Sequence, residues 1–317
     1  AALMSVGAIT VPVDKDLPTA DIVSILSTAK CEYAFFSDKI AEKMKEVQAG
    51  VPTLKHLVSM GDEDIEGATN LKSLRASGAK KLEEGDTSYF DYNIDDEKLA
   101  SIVFTSGTTG YPKIAVHNYK YALGHFHTAK YWHNVDPDGL HFTISETGWG
   151  KALWGKLYGQ WLCEGAVFVY DFDRFAASDI LPMFAKYNIT TFCAPPTMLR
   201  MMVKEDISKY DLSSIKHMTT AGEALNPEVY RQFEKATGLQ IMEGFGQTET
   251  TLVIGNLMGN PHKLGSMGKP TPLYDVDILD ADGNPVPDGE TGEICIKTSE
   301  RVPCGLYLGY YRDEAKT

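Results

Sequence analysis

The sequence predicts an α/β fold of layered αβαβα subdomains with mostly parallel sheets, followed by a small β-barrel unit. Helical and strand patterns alternate along most of the chain, which is the first observation behind this prediction. The second is the apolar run 102–104, which leads straight into a polar, glycine-rich loop, as a buried strand does at its end. The third is a change in the sequence pattern after about residue 262, where predicted short strands alternate with turns rich in Asp, Gly and Pro.

The individual elements follow from the spacing of apolar residues and from cap and turn residues. In the first part of the chain, strands are predicted at 6–14, 31–38, 53–61 and 98–107, and helices at 18–30, 38–50 and 69–77. In the second part, strands are predicted at 165–171, 189–196, 217–225 and 239–250, with helices at 178–188 and 226–238. This order predicts paired α/β subdomains in residues 1–262 and a separate small β unit in residues 263–317.

Composition narrows the class of protein. The 317 residues are 43% hydrophobic and 23% charged, which is ordinary for a soluble globular protein. A net charge of −13 argues against nucleic acid and acidic membranes as partners. The five cysteines are dispersed without metal-type spacing, which favours reduced thiols in a cytoplasmic location. No apolar run in the sequence reaches the length of a membrane span.

The loop that follows the strand at 98–107 has the composition of a phosphate-binding segment. It contains four hydroxyl side chains, two glycines and a lysine, namely Thr105, Ser106, Gly107, Thr108, Thr109, Gly110 and Lys113. Glycines allow the backbone to approach a ligand closely, successive N–H groups attract anions, and a lysine supplies positive charge. The spacing does not match a Walker A loop. The alternative is a hairpin turn rich in Ser, Thr and Gly that binds no ligand.

Two further strand ends carry polar residues and glycines. In "EGFGQTETT", the carboxylate of Glu249 and the hydroxyl of Thr248 suit Mg²⁺ and a phosphate, although a strand end with a helix cap explains them equally well. In "TAGEALNPE", Gly222 could let a flat ring lie against the backbone, with Phe245 covering the other face of that ring. The alternative there is a simple helix entry at Asn226.

Aromatic residues and glycines are concentrated in "ETGWGKALWGKLYGQW", residues 146–161. Aromatic residues at helical spacing usually form core, but the glycines among them could instead shape an apolar channel, and the sequence leaves both interpretations open. His141 is interpreted as a strand histidine, because no second ligand lies at metal-binding spacing. The histidines in "HFHTAKYWH" match no standard metal site.

The segments "TSGTTGYPK", "TAGEAL" and "GFGQTET" occur in an order that resembles the acyl-adenylate-forming superfamily, and the resemblance extends over essentially the whole chain. "GETGEICIK" resembles a further motif of that family, in its small β-barrel unit. The resemblance implies that the loop with Lys113 contacts the β- and γ-phosphates of ATP, Thr248 the α-phosphate and Glu249 Mg²⁺. It implies a nucleotide site formed by Gly222, Glu223, Ala224, Phe245, Gly246 and Gln247, with Phe245 where tyrosine is more common.

Within the superfamily, "ISETGWG" resembles the branch of acetyl- and medium-chain acyl-CoA synthetases, which implies that Trp149 and Gly150 contact the acyl group. Acetyl-specific members carry a tryptophan where this chain has Gly246, and that tryptophan closes their acyl pocket. A glycine at this position implies an open pocket for a medium-chain, branched or aryl acid.

The resemblance therefore implies an ATP-dependent enzyme that forms acyl-AMP and pyrophosphate and then an acyl-CoA thioester, with ATP, Mg²⁺ and coenzyme A as cofactors or substrates. It predicts an N-terminal domain fragment in which the first subdomain is truncated and the C-terminal lid, with its catalytic lysine, is absent, so the fragment alone is expected to be poorly active. An oligomer is compatible with the sequence. The alternatives are an adenylation domain that loads a carrier protein and a non-catalytic nucleotide-binding protein.

Overall fold

The computed structural model describes residues 2–105, 113–172 and 174–317, apart from the side chain of Thr105. The chain forms two compact units, Ala1–Ile114 and Ala115–Thr317. Both units combine helices with sheets, and the largest sheet of each unit is mostly parallel, so the predicted α/β class is confirmed. The boundary predicted at residue 262, with a barrel beyond it, stays a prediction.

The first unit contains a parallel three-stranded sheet in the order β1-β2-β3. Its helices are α1 (Thr19–Thr28), α2 (Ala41–Gly50) and α3 (Leu71–Glu83), and its strands are β1 (Tyr33–Phe36), β2 (His56–Ser59), β3 (Thr69–Asn70) and β4 (Leu99–Thr105). Tyr33 lies opposite His56, and Val58 opposite Thr69. The core of this unit packs α1 and α2 on the sheet through side chains such as Leu26 and Val47.

One predicted strand of the first unit is absent from the described residues. Segment 6–14 forms a single bridge instead, in which Thr10 N donates to Ala100 O at 3.0 Å and Thr10 O accepts from Ile102 N at 2.9 Å. Pro12 has no N–H group and cannot extend the ladder, which explains why the apolar pattern here does not become a regular strand.

The second unit is built around a seven-stranded sheet in the order β12-β11-β10-β9-β8-β6-β7. The helices of this part of the chain are α4 (Tyr121–His127), α5 (Gly150–Lys156), α6 (Tyr158–Leu162), α7 (Ala177–Tyr187), α8 (Pro196–Met202) and α9 (Pro227–Thr237), and a π-helical turn, Thr128–Trp132, continues α4. The strands are β5 (Lys113–Asn118), β6 (Leu140–Thr143), β7 (Ala166–Phe168), β8 (Thr191–Cys193), β9 (His217–Ala221), β10 (Ile241–Gly246), β11 (Leu252–Gly255), β12 (Lys269–Pro270), β13 (Val276–Leu279), β14 (Glu293–Ile296) and β15 (Gly309–Tyr310).

Strands β6 to β10 of this sheet run parallel, and β11 and β12 continue it in the antiparallel sense. The remaining strands after residue 270 pair elsewhere. β13 pairs with β14, and β15 pairs with β5, where Gly309 lies opposite Val116. Strands of the segment 263–317 therefore take part in three different sheets.

The two faces of the large sheet differ in chemistry. On one face, a row of large apolar residues packs against α7, α8 and α9, namely Phe142, Phe192, Met218 and Ile241. Because side chains alternate along a strand, the flanking residues point to the other face. That face carries histidines and threonines, among them His141, Thr191, His217 and Thr219. A sheet with one apolar and one polar face leaves room for a polar site on the second face.

Local signals fix the helix that follows β9. The side chain of Asn226 accepts a hydrogen bond of 2.8 Å from Glu228 N, and Pro227 occupies the first turn, where its missing N–H group is harmless. The helix ends at Gly238 in the left-handed conformation. These caps confirm the helix entry predicted at Asn226, and they hold the segment between β9 and α9 in place.

Candidate functional site

A cavity of about 190 Å³ lies at the carboxyl edge of the seven-stranded sheet. The last residues of four neighbouring parallel strands line it, namely Thr143 of β6, Cys193 of β8, Ala221 of β9 and Gly246 of β10. In open α/β sheets, ligands bind outside the carboxyl ends of the strands. The cavity therefore lies where this topology places a ligand site.

The rest of the wall comes from α5, from the segment after α4 and from the residues that follow β9 and β10. The lining residues from these segments are Gly150, Lys151, Trp154 and Gly155, then Trp132 and His133, and finally Gly222, Gln247 and Thr248. Aromatic rings and glycines form most of this lining, with a few polar groups among them. An apolar pocket with few polar groups is typical of a site for a small organic ligand.

Position 246 requires a glycine, because atoms of neighbouring residues lie very close to its backbone. A Cβ atom at this position would overlap the carbonyl oxygen of Thr251 and the ring of Trp154. The strand also bulges between Phe245 and Gly246, where the pairing with β11 shifts. Bulges re-aim the chain next to functional sites, and here the bulge leads directly into the turn that carries the next polar residues.

The turn Gln247–Thr250 is held by its own hydrogen bonds. Gln247 N donates to Thr250 Oγ1 at 3.0 Å, and Thr250 Oγ1 donates to Thr251 O at 2.8 Å. Thr250 is buried, whereas Thr248 is half-buried at the edge of the cavity. The fixed turn thus presents Thr248 to whatever occupies the cavity.

Gly222 follows β9 with φ of +106°, a conformation that strains any residue with a Cβ atom. No heavy atom lies within 4 Å of the position that a Cβ would take. Backbone strain, rather than lack of space, therefore restricts this position to glycine. The open space beside the backbone is what a close ligand needs.

Glu249 contacts the segment around β15. Its carboxylate Oε1 accepts a hydrogen bond of 2.6 Å from Tyr310 Oη, and its carbonyl oxygen accepts one of 2.8 Å from Tyr307 N. In the described part of the chain, no group of three or more His, Cys, Asp and Glu side chains could hold a metal ion. Mg²⁺ in nucleotide sites is bound by one or two carboxylates together with phosphates and water. A single placed carboxylate therefore fits such an ion.

The structure places some predicted site residues beside the cavity and others outside its lining. Gly150, Gly222, Gly246, Gln247 and Thr248 line the cavity. The residues outside the lining are Trp149, Glu223, Ala224, Phe245 and Glu249. Four of them are adjacent to a lining residue in the chain, and Ala224 lies two residues after Gly222.

The residues outside the lining have different surroundings. Glu223 is exposed, and the hydroxyl of Thr197 shares its one hydrogen between the two carboxylate oxygens, at 2.8 and 2.9 Å. The ring of Phe245 packs against a cluster that includes Ile254 and Tyr274. Trp149 is 50% exposed at the start of α5. Their predicted roles with nucleotide and acyl group remain predictions.

The predicted phosphate loop lies mostly outside the described residues. Ser106, Gly107, Thr108, Thr109 and Gly110 belong to the segment 106–112, which the structure does not describe, and nothing is described of the Thr105 side chain. Lys113 begins β5. The assignment of these residues to phosphate stays a prediction.

Lys151 and His133 are basic lining residues that sequence reasoning missed. Lys151 Nζ donates to Ala221 O at 2.9 Å, and burial lowers the pKa of this lysine. Burial also holds the pKa of His133 well below its usual value, with further lowering by nearby histidines and by Lys151. Lys151 directly follows the predicted Trp149–Gly150 pair in the sequence, whereas His133 reaches the site through a contact with Thr219, 86 residues away.

Aromatic packing supports the cavity from behind. Trp154 Nε1 donates to Tyr121 Oη at 3.2 Å, and Tyr121 Oη donates to Thr250 O at 3.4 Å. Trp161, by contrast, is 57% exposed. The aromatic segment thus contributes to the wall of a pocket through Gly150, Lys151, Trp154 and Gly155, and only part of the segment is buried.

Among the described residues, no helix is long and apolar enough to cross a membrane. His141 is a buried strand residue, as predicted. Its Nδ1 lies 2.7 Å from Thr191 Oγ1 and its Nε2 lies 2.8 Å from Thr143 Oγ1, so both ring nitrogens have protein partners.

Comparison with known proteins agrees with this geometry. A family model described as "AMP-binding enzyme" matches residues 1–311. The chain is 34% identical over 317 residues to the acyl-coenzyme A synthetase ACSM3, mitochondrial, of Homo sapiens, and 36% identical over 317 residues to its counterpart in Mus musculus. Each alignment covers 100% of this chain and 53% of the relative. The chain thus spans about half the length of these curated relatives.

Solved structures show the same fold. An anthranilate CoA ligase, AuaEII, in complex with anthranoyl-AMP superposes with a TM-score of 0.83 at 24% identity, over 98% of this chain and 58% of the ligase. An acyl-CoA synthetase of Brucella canis gives a TM-score of 0.83 at 23% identity, over 96% of this chain and 55% of that protein. The predicted fold of an adenylate-forming N-terminal domain is therefore confirmed. The chain belongs to the AMP-binding enzyme family.

Proposed function

We propose that the protein activates a carboxylic acid with ATP, forming acyl-AMP and releasing pyrophosphate, and then transfers the acyl group to coenzyme A. The observation that carries this proposal is the cavity at the carboxyl ends of β6, β8, β9 and β10, bordered by the Gln247–Thr250 turn. It provides space for an acyl group next to Thr248, the residue assigned by resemblance to the α-phosphate. Family membership and relatives named acyl-coenzyme A synthetases support the proposal.

The size of the cavity favours acids larger than acetate. A cavity of about 150 Å³ in a protein interior holds a benzene molecule. The present cavity, about 190 Å³, therefore has room for a ring of six carbons or a chain of similar volume. We accordingly propose a medium-chain, branched or aryl acid as substrate.

The chain's own residues supply positioning and charge in this scheme. Thr248 would donate to a phosphate oxygen, and Glu249 would hold Mg²⁺, which neutralises phosphate charge when bound. Lys113 and the loop 105–110 are proposed to contact the outer phosphates. Positioning and electrostatic stabilisation are the main protein contributions to such a transfer.

The proposal is tested by pyrophosphate release from the natural full-length protein with ATP, Mg²⁺ and a panel of acids. Release that requires an acid, together with thioester formation that requires coenzyme A, is expected. Acid-dependent release without any thioester would favour a carrier protein as acceptor. ATP binding without acid-dependent release would favour a non-catalytic nucleotide-binding protein and contradict the proposal.

The predicted cytoplasmic location stays a prediction, since the relatives named above are described as mitochondrial. The predicted absence of the C-terminal lid from this chain and the predicted domain boundary at residue 262 also stay predictions.

A further inference from the structure

One basic side chain lies in the wall of the cavity without a charged partner. Lys151 lines the cavity from the first turn of α5, where it is half-buried. Its Nζ atom donates to Ala221 O at 2.9 Å, and it forms no ion pair within the described part of the chain. Burial lowers the pKa of this lysine, because an ammonium group surrounded by protein loses hydration. A charge in such surroundings is stabilised by an opposite charge.

The carboxylate that acts electrostatically on this lysine is held by another residue. Glu223 contributes a favourable interaction to Lys151, but both of its carboxylate oxygens accept from the hydroxyl of Thr197. Glu223 is also exposed and lies outside the lining of the cavity. The ammonium group in the wall is thus hydrogen-bonded to a neutral carbonyl group, and an anionic group of a ligand would complete its surroundings.

The rest of the lining indicates which kind of anion fits. Of the lining residues that the structure describes, Lys151 is the one cation at neutral pH, because burial holds the pKa of His133 well below its usual value. Aromatic rings and glycines form most of the remaining wall. A polyphosphate needs several donors and positive charges, whereas a carboxylate on a hydrocarbon tail needs one cation and an apolar wall. A carboxylic acid is therefore the ligand that this lining favours.

The ammonium group lies at the edge of the sheet where the proposed reaction takes place. Its acceptor, Ala221, is the last residue of β9 and lies opposite Gly244 in the neighbouring strand β10. β10 ends at Gly246, and Thr248 follows in the turn that borders the cavity. Next to Ala221, no heavy atom lies within 4 Å of the position that a Cβ of Gly222 would take. The edge beside Lys151 therefore has space for a ligand group.

We propose that Lys151 binds the carboxylate of the acid substrate through Nζ and holds it for attack on ATP. This inference rests on the proposed function and adds a substrate-binding residue to it. One carboxylate oxygen accepts from Nζ, and the other forms the new bond to the α-phosphorus of ATP while the bond to pyrophosphate breaks. Lys151 keeps its proton throughout, so it contributes charge and position and does not act as an acid or a base.

A pair of ligands that differ in charge tests this contact without any turnover. The natural full-length protein, with a non-hydrolysable ATP analogue bound, is titrated calorimetrically with hexanoate and with hexanamide, which have the same hydrocarbon chain. We expect hexanoate to bind at least about tenfold more tightly, because only the carboxylate gains a charged hydrogen bond. Lys151→Gln keeps a donor for Ala221 O but carries no charge, and it should remove this preference. No preference in the wild type, or a preference that survives in Lys151→Gln, would overturn the inference.

Kinetics of pyrophosphate release distinguish a contact with the carboxylate from a contact with the tail. Lys151→Gln should raise the KM for butanoate, hexanoate and octanoate by similar factors of at least about ten, while the KM for ATP changes by less than about twofold. All three acids share the carboxylate, whereas a residue that only contacts the tail affects long and short acids differently. A change that depends on chain length, or a rise in the KM for ATP alone, would overturn the inference.

Lys156→Gln is the matched control on the same helix. Lys156 Nζ also donates to a backbone carbonyl, Ser145 O at 2.7 Å, and burial lowers its pKa, but it lies outside the lining of the cavity. This variant should leave the preference for hexanoate and the KM values unchanged. Equal losses in the two variants would show a general effect of removing a buried lysine and would overturn the assignment. If Lys151→Gln does not fold, the wild-type comparison and Lys151→Met carry the test.

The outcomes separate this inference from the proposed function. Acid-dependent release of pyrophosphate with the same KM for acids in Lys151→Gln as in the wild type overturns the inference alone. Failure of every acid to release pyrophosphate overturns the proposed function, whereas binding of hexanoate that depends on the charge of Lys151 would still support this residue as a carboxylate-binding group.

Discussion

Tyr310 donates a hydrogen bond of 2.6 Å from its hydroxyl to Oε1 of Glu249, which joins β15 to the turn after β10. Burial and the neighbouring carboxylate raise the pKa of Tyr310, so the phenol keeps its proton at neutral pH and remains a donor. One carboxylate oxygen is thereby fixed, and the side chain is held in one orientation. We expect this contact to matter for binding Mg²⁺.

Glu249→Gln keeps the shape of the side chain but removes its charge. If Glu249 holds Mg²⁺, adenylation should become slower by about 2–4 kcal/mol in transition-state free energy, the range for losing one preorganised electrostatic contact. The rate of pyrophosphate release is measured across a Mg²⁺ titration. An unchanged rate at all Mg²⁺ concentrations would show that Glu249 has only a structural role.

Tyr310→Phe should weaken Mg²⁺ binding indirectly, by releasing the side chain of Glu249. Its effect should be smaller than that of Glu249→Gln. Loss of a hydrogen bond to a charged group costs about 1.5–3 kcal/mol, and we expect this cost to appear as a higher Mg²⁺ concentration at half-maximal rate. Tyr311→Phe is the matched control, because it removes the same hydroxyl group from the adjacent residue. The Tyr311 ring packs 4.9 Å from the Arg312 guanidinium carbon, and a phenylalanine ring can keep that contact. Equal Mg²⁺ dependence in the two variants would contradict a positioning role for Tyr310.

Gly246→Ala and Gly246→Trp should reduce activity with every acid. The resemblance to acetyl-specific enzymes suggests that a tryptophan here would restore a preference for acetate, but a Cβ at this position would overlap Thr251 O and the ring of Trp154. The overlap with backbone cannot be relieved by rotating a side chain. The hexanoate-to-acetate ratio of kcat/KM should therefore stay constant while both values fall, and a ratio that shifts towards acetate would show that the chain adapts.

Trp154→Phe, unlike the Gly246 variants, should change the preference of the enzyme for acids of different chain length. The smaller ring removes part of the cavity wall and the hydrogen bond to Tyr121 Oη. Each additional buried methylene contributes about 0.8 kcal/mol, so acids one or two carbons longer should gain relative to hexanoate by up to about tenfold. The measurement is kcat/KM across acids of four to ten carbons. An unchanged length profile would exclude Trp154 from the acyl site.

Acid should destabilise the protein through its buried histidines. Burial lowers the pKa of His125 and of His141 to about 3, and that of His117 to about 4. In the unfolded chain these groups bind a proton near pH 6.5. Stability should therefore be complete above about pH 6.5 and fall as the pH drops towards 4, by up to about 1.4 kcal/mol per pH unit for each histidine.

His125→Phe isolates one part of this effect. Neither ring nitrogen of His125 has a hydrogen-bond partner within the described chain, and the ring packs between Tyr121 and Tyr158. The variant should lose less thermal stability than the wild type between pH 7.5 and pH 5, as measured by the melting temperature. Parallel curves for the two proteins would contradict a buried neutral His125.

Much of the site was predictable because its residues follow strands. Gly222 directly follows β9 and Thr248 lies two residues after the end of β10. The edge where parallel strands end is the edge where ligands bind. The helix entry at Asn226 follows from its cap residues. Local sequence carries all of these signals.

The residues that escaped prediction depend on contacts between distant parts of the chain. His133 belongs to no regular pattern, and its place beside the cavity is set by its contact with Thr219, 86 residues away. In the sequence, nothing distinguishes Cys193 and Thr143 from ordinary strand residues. The order of β8 and β6 in the sheet is what places them beside the cavity. In the segment 6–14, the apolar pattern predicted a strand that the structure does not contain. Pro12 has no N–H group to donate to a neighbouring strand, so only a single bridge forms there.

The most direct test of the central claim is a crystal structure of the natural full-length protein with a non-hydrolysable acyl-adenylate analogue whose acyl part has six carbons. The account predicts that the acyl carbons lie in the cavity that Trp154 and Gly246 help to line, with the phosphate mimic within hydrogen-bond distance of Thr248. An acyl group bound elsewhere, with the cavity still empty, would contradict it.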